Sequence, residues 1–177
     1  MSKIQTVVVS NSSPLIYLAK VARLDLIRDL YERIWIPTAV FDEVVARGKA
    51  LQISDASIIE RAVGDWIIKE GVEPEAASAY GFLDQNERLG RGEKEALKLC
   101  RQLSVSFFIV DDMEARRVAK ILKIRPIGTC GVLVQAYRRS LITARETEEI
   151  LHSLVRVQFR ISPNLYRRIL HEIGLLQ

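Results

Sequence analysis

The sequence predicts an α/β domain, a parallel sheet with helices on its faces, on three observations. Short apolar runs rich in β-branched residues recur along the chain. Amphipathic stretches with helical spacing separate them. Prolines stand where several of those helices open, at Pro14, Pro37 and Pro163. Strands that alternate with helices pair in parallel, because a crossover helix returns the chain to the same edge of the sheet.

The first strand is read over residues 6–9, and the chain leaves it through Ser10-Asn11-Ser12-Ser13-Pro14 into a helix. A second helix carries Leu24, Leu26, Ile27 and Leu30. A strand over 33–36 is closed by Pro37, which also opens the next helix, over 37–45. Helix 53–63 and strand 66–68 follow. Residues 70–90 are less regular, with Pro74, Gly81 and Gly90, and suit an excursion over the sheet edge or a flap. Then come helix 92–103, a fully apolar strand over 106–110, helix 112–122, a short strand at 125–127, and helices over 131–138, 144–154 and 163–173. One domain over 1–177 is expected, with about 144–177 as a helical extension.

Composition narrows the function. Apolar residues make up 49% of the 177, enough for a core and too many for a disordered chain. No apolar run is long enough to span a bilayer and no signal-peptide layout opens the chain, so the cytoplasm is the expected location. The two cysteines, Cys100 and Cys130, have no metal or redox spacing, and Cys100 falls on an apolar helical stripe. His152 and His171 lie in the C-terminal helices without partners at ligand spacing. Zinc chemistry and Cys–His hydrolysis are therefore disfavoured. The net charge is +4, and its arginines gather at Arg116 and Arg117, at Arg138 and Arg139, and across Arg156, Arg160, Arg167 and Arg168. These are either solvated helix faces or a path for a polyanion.

In open parallel sheets, ligands bind beyond the carboxyl ends of the strands. There the chain places Asn11 with Ser12 and Ser13, then Asp42 and Glu43, then Asp111 and Asp112, then Gly128 and Thr129. Glu93 precedes Ala96, Leu97 and Cys100 by three, four and seven residues, so it points with them toward the interior, while Lys94 and Lys98 are expected to look outward. Glu93 is either a favourable acid in a first helical turn or a carboxylate that needs a cation, donor or proton. Asp111-x-x-Glu114 also approximates a capping box. Carboxylates gathered from separate segments repel one another unless a cation neutralises them, and oxygen-only ligands favour Mg²⁺ or Mn²⁺.

The stretches VVVSNSSPLIYLAK, IPTAVFDEV, GRGEKEALKL, VDDMEARRVAKILKIRPIGTCGVL and FRISPNLYRRIL, in that order, resemble a prokaryotic subgroup of PIN-like domains. Much of that subgroup is labelled only as a domain of unknown function, and it is related to VapC-type toxins. The resemblance implies a three-layer α/β/α sandwich and a Mg²⁺- or Mn²⁺-dependent endoribonuclease acting on RNA. It also implies, in many members, a homodimer and the toxin role beside a small antitoxin protein. Carried over by position, the first acid of the family pattern falls at Asn11, with the small hydroxyl residue at Ser12 or Ser13. The second falls at Glu43, the third at Glu93, and the fourth within Asp111 and Asp112. Thr129 is expected to hold a water or phosphate, and on the ribonuclease reading Arg116 and Arg117 are expected to steer the RNA backbone. The resemblance thus makes Asn11, Glu43, Glu93, Asp111 and Asp112 the metal and catalytic set. The family has Asp where this chain has Asn11, and an amide oxygen donates to a metal without charge. An alternative is a catalytically weakened binding module of the same fold. A nucleotide binder ranks below both, because neither glycine-rich phosphate loop is present. A receiver domain also ranks low, because the acid pair follows the penultimate strand rather than the first.

Overall fold

The computed structural model describes residues 7–50, 54–105 and 107–176. The ends of three expected elements, at Thr6, Ile53 and Ser106, lie outside the described residues. Five strands form one sheet: β1 (Val8–Ser10), β2 (Ile34–Pro37), β3 (Ile67–Glu70), β4 (Phe107–Ile109) and β5 (Arg125–Ile127). All pair in parallel, in the order β3-β2-β1-β4-β5. The helices are α1 (Ser12–Lys20), α2 (Asp25–Tyr31), α3 (Thr38–Ala50), α4 (Ser54–Ala62), α5 (Pro74–Ala79), α6 (Arg91–Gln102), α7 (Met113–Ile121), α8 (Thr129–Arg138), α9 (Ala144–Arg156) and α10 (Pro163–Glu172). A 3-10 turn at Gly81–Gln85 joins α5 toward α6.

The two-residue period of a strand sends neighbours to opposite faces. Val8, Ile34, Ile36, Ile109 and Ile127 enter one buried cluster with α1, α2, α8, α9 and α10. Val9, Phe108 and Val110 enter the other, against α6 and α7. The result is a three-layer α/β/α sandwich. Because β1, β2 and β4 are covered on both faces, they carry no polar alternation and read as short apolar runs.

Every helix expected from the sequence is present, with ends shifted by a few residues. The additions are α5 and the 3-10 turn, inside the segment expected to be irregular. This segment packs along α6. Asp84 receives both Lys98 Nζ at 2.8 Å and, through its carbonyl, Lys94 Nζ at 3.0 Å. Lys98 is therefore only 7% exposed, against the expectation that it looks outward. The pattern of one helix could not show that an earlier turn would lie over its polar face.

The strand order reverses between β1 and β4. The chain runs outward through β2 and β3, then crosses back to begin again on the other side of β1. At such a switch point the loops that leave the two strands diverge and open a crevice. Asn11 follows β1 and Asp111 follows β4, so both stand at its mouth. Among the described residues no helix is long and apolar enough to cross a membrane.

Candidate active site

Asn11 holds the N-cap position of α1, where a side-chain oxygen ordinarily takes an N–H from the first helical turn. Here the side chain makes no cap bond. Its Nδ2 instead donates to Glu93 Oε1 at 2.7 Å, across 82 residues of sequence. A carboxylate only accepts, so the amide must turn its nitrogen to Glu93. That leaves Asn11 Oδ1 fully buried with no hydrogen-bond partner, the one such side-chain atom among the described residues. A buried acceptor without a donor costs roughly 1–3 kcal/mol. Its position, beside an acid at the switch point, marks where a donor or a cation belongs.

Glu43 lies next to this pair. It reaches back from α3, accepting from Ser12 Oγ at 2.8 Å and from the Gly92 N–H at 3.2 Å. The Gly92 N–H is an orphan donor of α6's first turn, so Glu43 caps that helix from outside. In return, Glu95 of α6 accepts from the Ala39 N–H at the start of α3, at 3.0 Å. The two helices thus cap each other, which fixes Glu43 and Glu93 on one side of the crevice. A Cβ on Gly92 would stand 2.8 Å from both Glu43 carboxylate oxygens, so only glycine lets the acid approach.

Asp111 occupies the other side. Its Oδ1 and Oδ2 accept from the Thr129 N–H at 2.8 Å and the Thr129 hydroxyl at 2.6 Å, at the N-terminus of α8. Arg116 donates to the Val110 carbonyl at 3.0 Å. A Cβ on Gly128 would meet Arg116 Nη1 and Asp111 Oδ1, each at 3.0 Å, so these two groups flank the same glycine. Burial raises the Asp111 carboxyl above its ordinary 3.8, against the lowering effect of the Thr129 hydrogen bonds and the Arg116 charge. Burial, with Asp111 nearby, also pushes the Cys130 thiol up to about 12, which removes it as a nucleophile.

A raised folded value means that the native state holds the Asp111 proton more tightly than the unfolded chain does. This contribution to stability is complete below the ordinary aspartate range and is lost as pH rises through the folded value. At pH 7 the ionised group therefore opposes folding. The Asp111→Asn variant, which can still accept from the Thr129 N–H, is expected to melt higher than the parent at pH 7. The gap should close as thermal melts are repeated down to pH 4.

The remaining candidates are placed as follows. Asp112, not Asp111, caps α7, accepting from the Ala115 N–H at 2.8 Å. The Asp111-x-x-Glu114 capping box is thus overturned, and Asp111 is free to bind Thr129. Arg117 points out and pairs with Glu114 at 2.9 Å. Glu114 also accepts from Asn86 Nδ2 at 2.9 Å. Asp42 is exposed and Ser13 is half-buried. Among the described residues no group of three or more His, Cys, Asp or Glu side chains is disposed to hold a metal ion. Each acid is turned to a protein donor: Glu93 to an amide, Glu43 to a hydroxyl and an N–H, Asp111 to Thr129. The donor set is all oxygen and includes the orphaned Asn11 Oδ1, which fits a hard divalent cation rather than zinc.

Comparison with protein families settles the class. The model of the DUF3368 family, described as a PIN domain, matches residues 7–175. The chain belongs to this family. Its fold is of the nuclease type. No curated protein matches the chain.

Proposed function

We propose that this PIN-domain chain is a divalent-metal-dependent endoribonuclease. The observation that carries this reading is the buried, unpartnered Asn11 Oδ1 beside Glu93 at the switch point of the sheet. Asn11, Glu93 and Glu43 would hold Mg²⁺ or Mn²⁺ from one side and Asp111 from the other. Asp112 is left out, because it is exposed where Asp111 is half-buried, and it faces the first turn of α7. When bound, the ion would activate a water and stabilise the charge that builds on a phosphodiester during in-line displacement.

The residues have distinct tasks. Glu43 is held by Ser12 and Gly92, and Asp111 by Thr129, so each carboxylate is anchored at the crevice by protein donors that a bound ion would share. Arg116 puts a positive charge beside Asp111, where a phosphate backbone enters. The toxin role, with a small antitoxin partner and a homodimer, is part of the same proposal and rests on the family resemblance. Incubation of purified protein with mixed RNA and Mn²⁺ is the test. Fragments with 5′-phosphate and 3′-hydroxyl ends, absent when EDTA is added, are expected; intact RNA under every metal would overturn the reading.

The neutral amide at Asn11 favours a second reading, a binding module of the same fold with weakened catalysis. Titration calorimetry separates the two. A module shows no Mn²⁺ uptake, whereas the nuclease must show it.

A further inference from the structure

The chain's whole net charge lies in one segment. Positions 150–171 contain four arginines and no acid, and outside them the remaining 22 basic residues balance the 22 acids. The four, Arg156, Arg160, Arg167 and Arg168, are all exposed. Among the described residues none of them has an ion pair or a side-chain hydrogen bond. Their neighbours differ: Arg138 pairs with Glu172, Arg145 with Glu149, and Arg139 donates to the Leu30 carbonyl.

The scaffold beneath them is well built. A capping box of Thr143 and Glu146 starts α9, and Ser162 caps α10. His152 stacks on Tyr166 at 6.2 Å and shares a 2.8 Å hydrogen bond with its hydroxyl. Between the helices, Phe159 meets Tyr17 of α1 edge-on at 4.8 Å. Tyr17 lies five residues into the helix from Ser12, about 8 Å along its axis. The loop that carries Arg160 is therefore set down beside the helix that begins in the acid crevice. At about 3.4 Å per nucleotide, two or three nucleotides span that distance.

We propose that Arg156, Arg160, Arg167 and Arg168 form a surface that binds the phosphate backbone of RNA outside the acid crevice. The choice of RNA rests on the ribonuclease reading. The surface supplies the affinity that the crevice, lined with carboxylates, cannot give to a polyanion. Specificity is not expected from it, since phosphate contacts position a strand without reading its bases. An anionic membrane is the weaker occupant. The main apolar side of this helix pair, with Ile150, Leu151, Leu154, Ile169 and Ile173, is buried in the core, which leaves only scattered exposed apolar residues such as Val155 and Leu165 to meet lipid.

The test measures binding, not cleavage. A labelled 20-nucleotide mixed-sequence RNA is titrated in EDTA, by fluorescence anisotropy, between 50 and 200 mM salt. The proteins are the parent, the quadruple Gln variant of the four arginines, and an Arg28→Gln control that removes a cation paired with Asp29 elsewhere. Four phosphate contacts contribute a slope of about −2.8 in log K against log salt, or about fiftyfold over that range. The quadruple variant is expected to lose most of that slope and the control to keep it. All four side chains are exposed, so circular dichroism should show the fold unchanged. Equal slopes for parent and quadruple variant would overturn the proposal, as would a parent that binds no RNA. Arginine-dependent binding to phosphatidylserine vesicles without RNA binding would assign the surface to a membrane instead. RNA binding lost in the quadruple variant, in a protein that cuts no RNA with Mn²⁺, would keep this surface and remove the nuclease reading. Cleavage with unaltered binding in the variant would do the reverse.

Discussion

Glu93→Gln is expected to reduce Mn²⁺-dependent RNA cleavage at least about a hundredfold while leaving the fold intact. Glutamine can keep the contact to Asn11, because its amide oxygen can accept from Nδ2 just as the carboxylate does at 2.7 Å. Packing and hydrogen bonding are thus preserved, and only the charge is lost. A hundredfold is about 2.7 kcal/mol of transition-state stabilisation, the scale of removing one electrostatic group from a preorganised site. The melting temperature without metal should stay within about 2 °C of the parent. The rise in melting temperature on adding Mn²⁺ should vanish. A variant that still cuts RNA at the parent rate would remove Glu93 from the chemistry. One that loses cleavage but keeps the Mn²⁺ shift would assign Glu93 a role after metal binding.

The sequence made the strand ends legible because β1, β2 and β4 are buried on both faces, and such strands show as apolar runs, with only Ser10 polar at the end of β1. Glu93 was legible for a related reason: helical spacing aimed it with Ala96 and Cys100, and both of those are fully buried. What spacing could not show was the partner of each group. The mutual capping of Glu43 on Gly92 and Glu95 on Ala39 joins residues 49 and 56 positions apart, and helical periodicity has no reach across that distance. A glycine inside an otherwise good helix was the available signal, since it marks close approach. Lys98 was misplaced for want of Asp84, which comes from a segment with no period of its own. Asp111 and Asp112 could not be told apart by type. Their difference lies in which helix each one caps, α8 or α7, and only the three-dimensional path of the loop decides that.

Asn11→Asp should make the protein less stable without metal and more responsive to it. The amide now bridges to Glu93, and a carboxylate in its place would set two acids against each other at the same short contact. Asn11 is 0% exposed, so solvent cannot screen the pair. Leaving such a group unsatisfied costs about 1–3 kcal/mol, which lowers the melting temperature by about 2–12 °C in a chain of this size. The deficit should shrink between pH 7 and pH 4, because one shared proton restores a hydrogen bond between two carboxylates. Added Mn²⁺ should reverse it by another route. The variant offers one more charge to the ion, and binding to the folded state alone stabilises by about 2.7 kcal/mol at a hundred times the dissociation constant. The Mn²⁺-induced rise in melting temperature should therefore be larger in the variant than in the parent. If both proteins melt alike in EDTA and neither responds to Mn²⁺, the amide and Glu93 do not share a cation pocket. The orphaned Asn11 Oδ1 would then be only a local cost of the turn that joins β1 to α1.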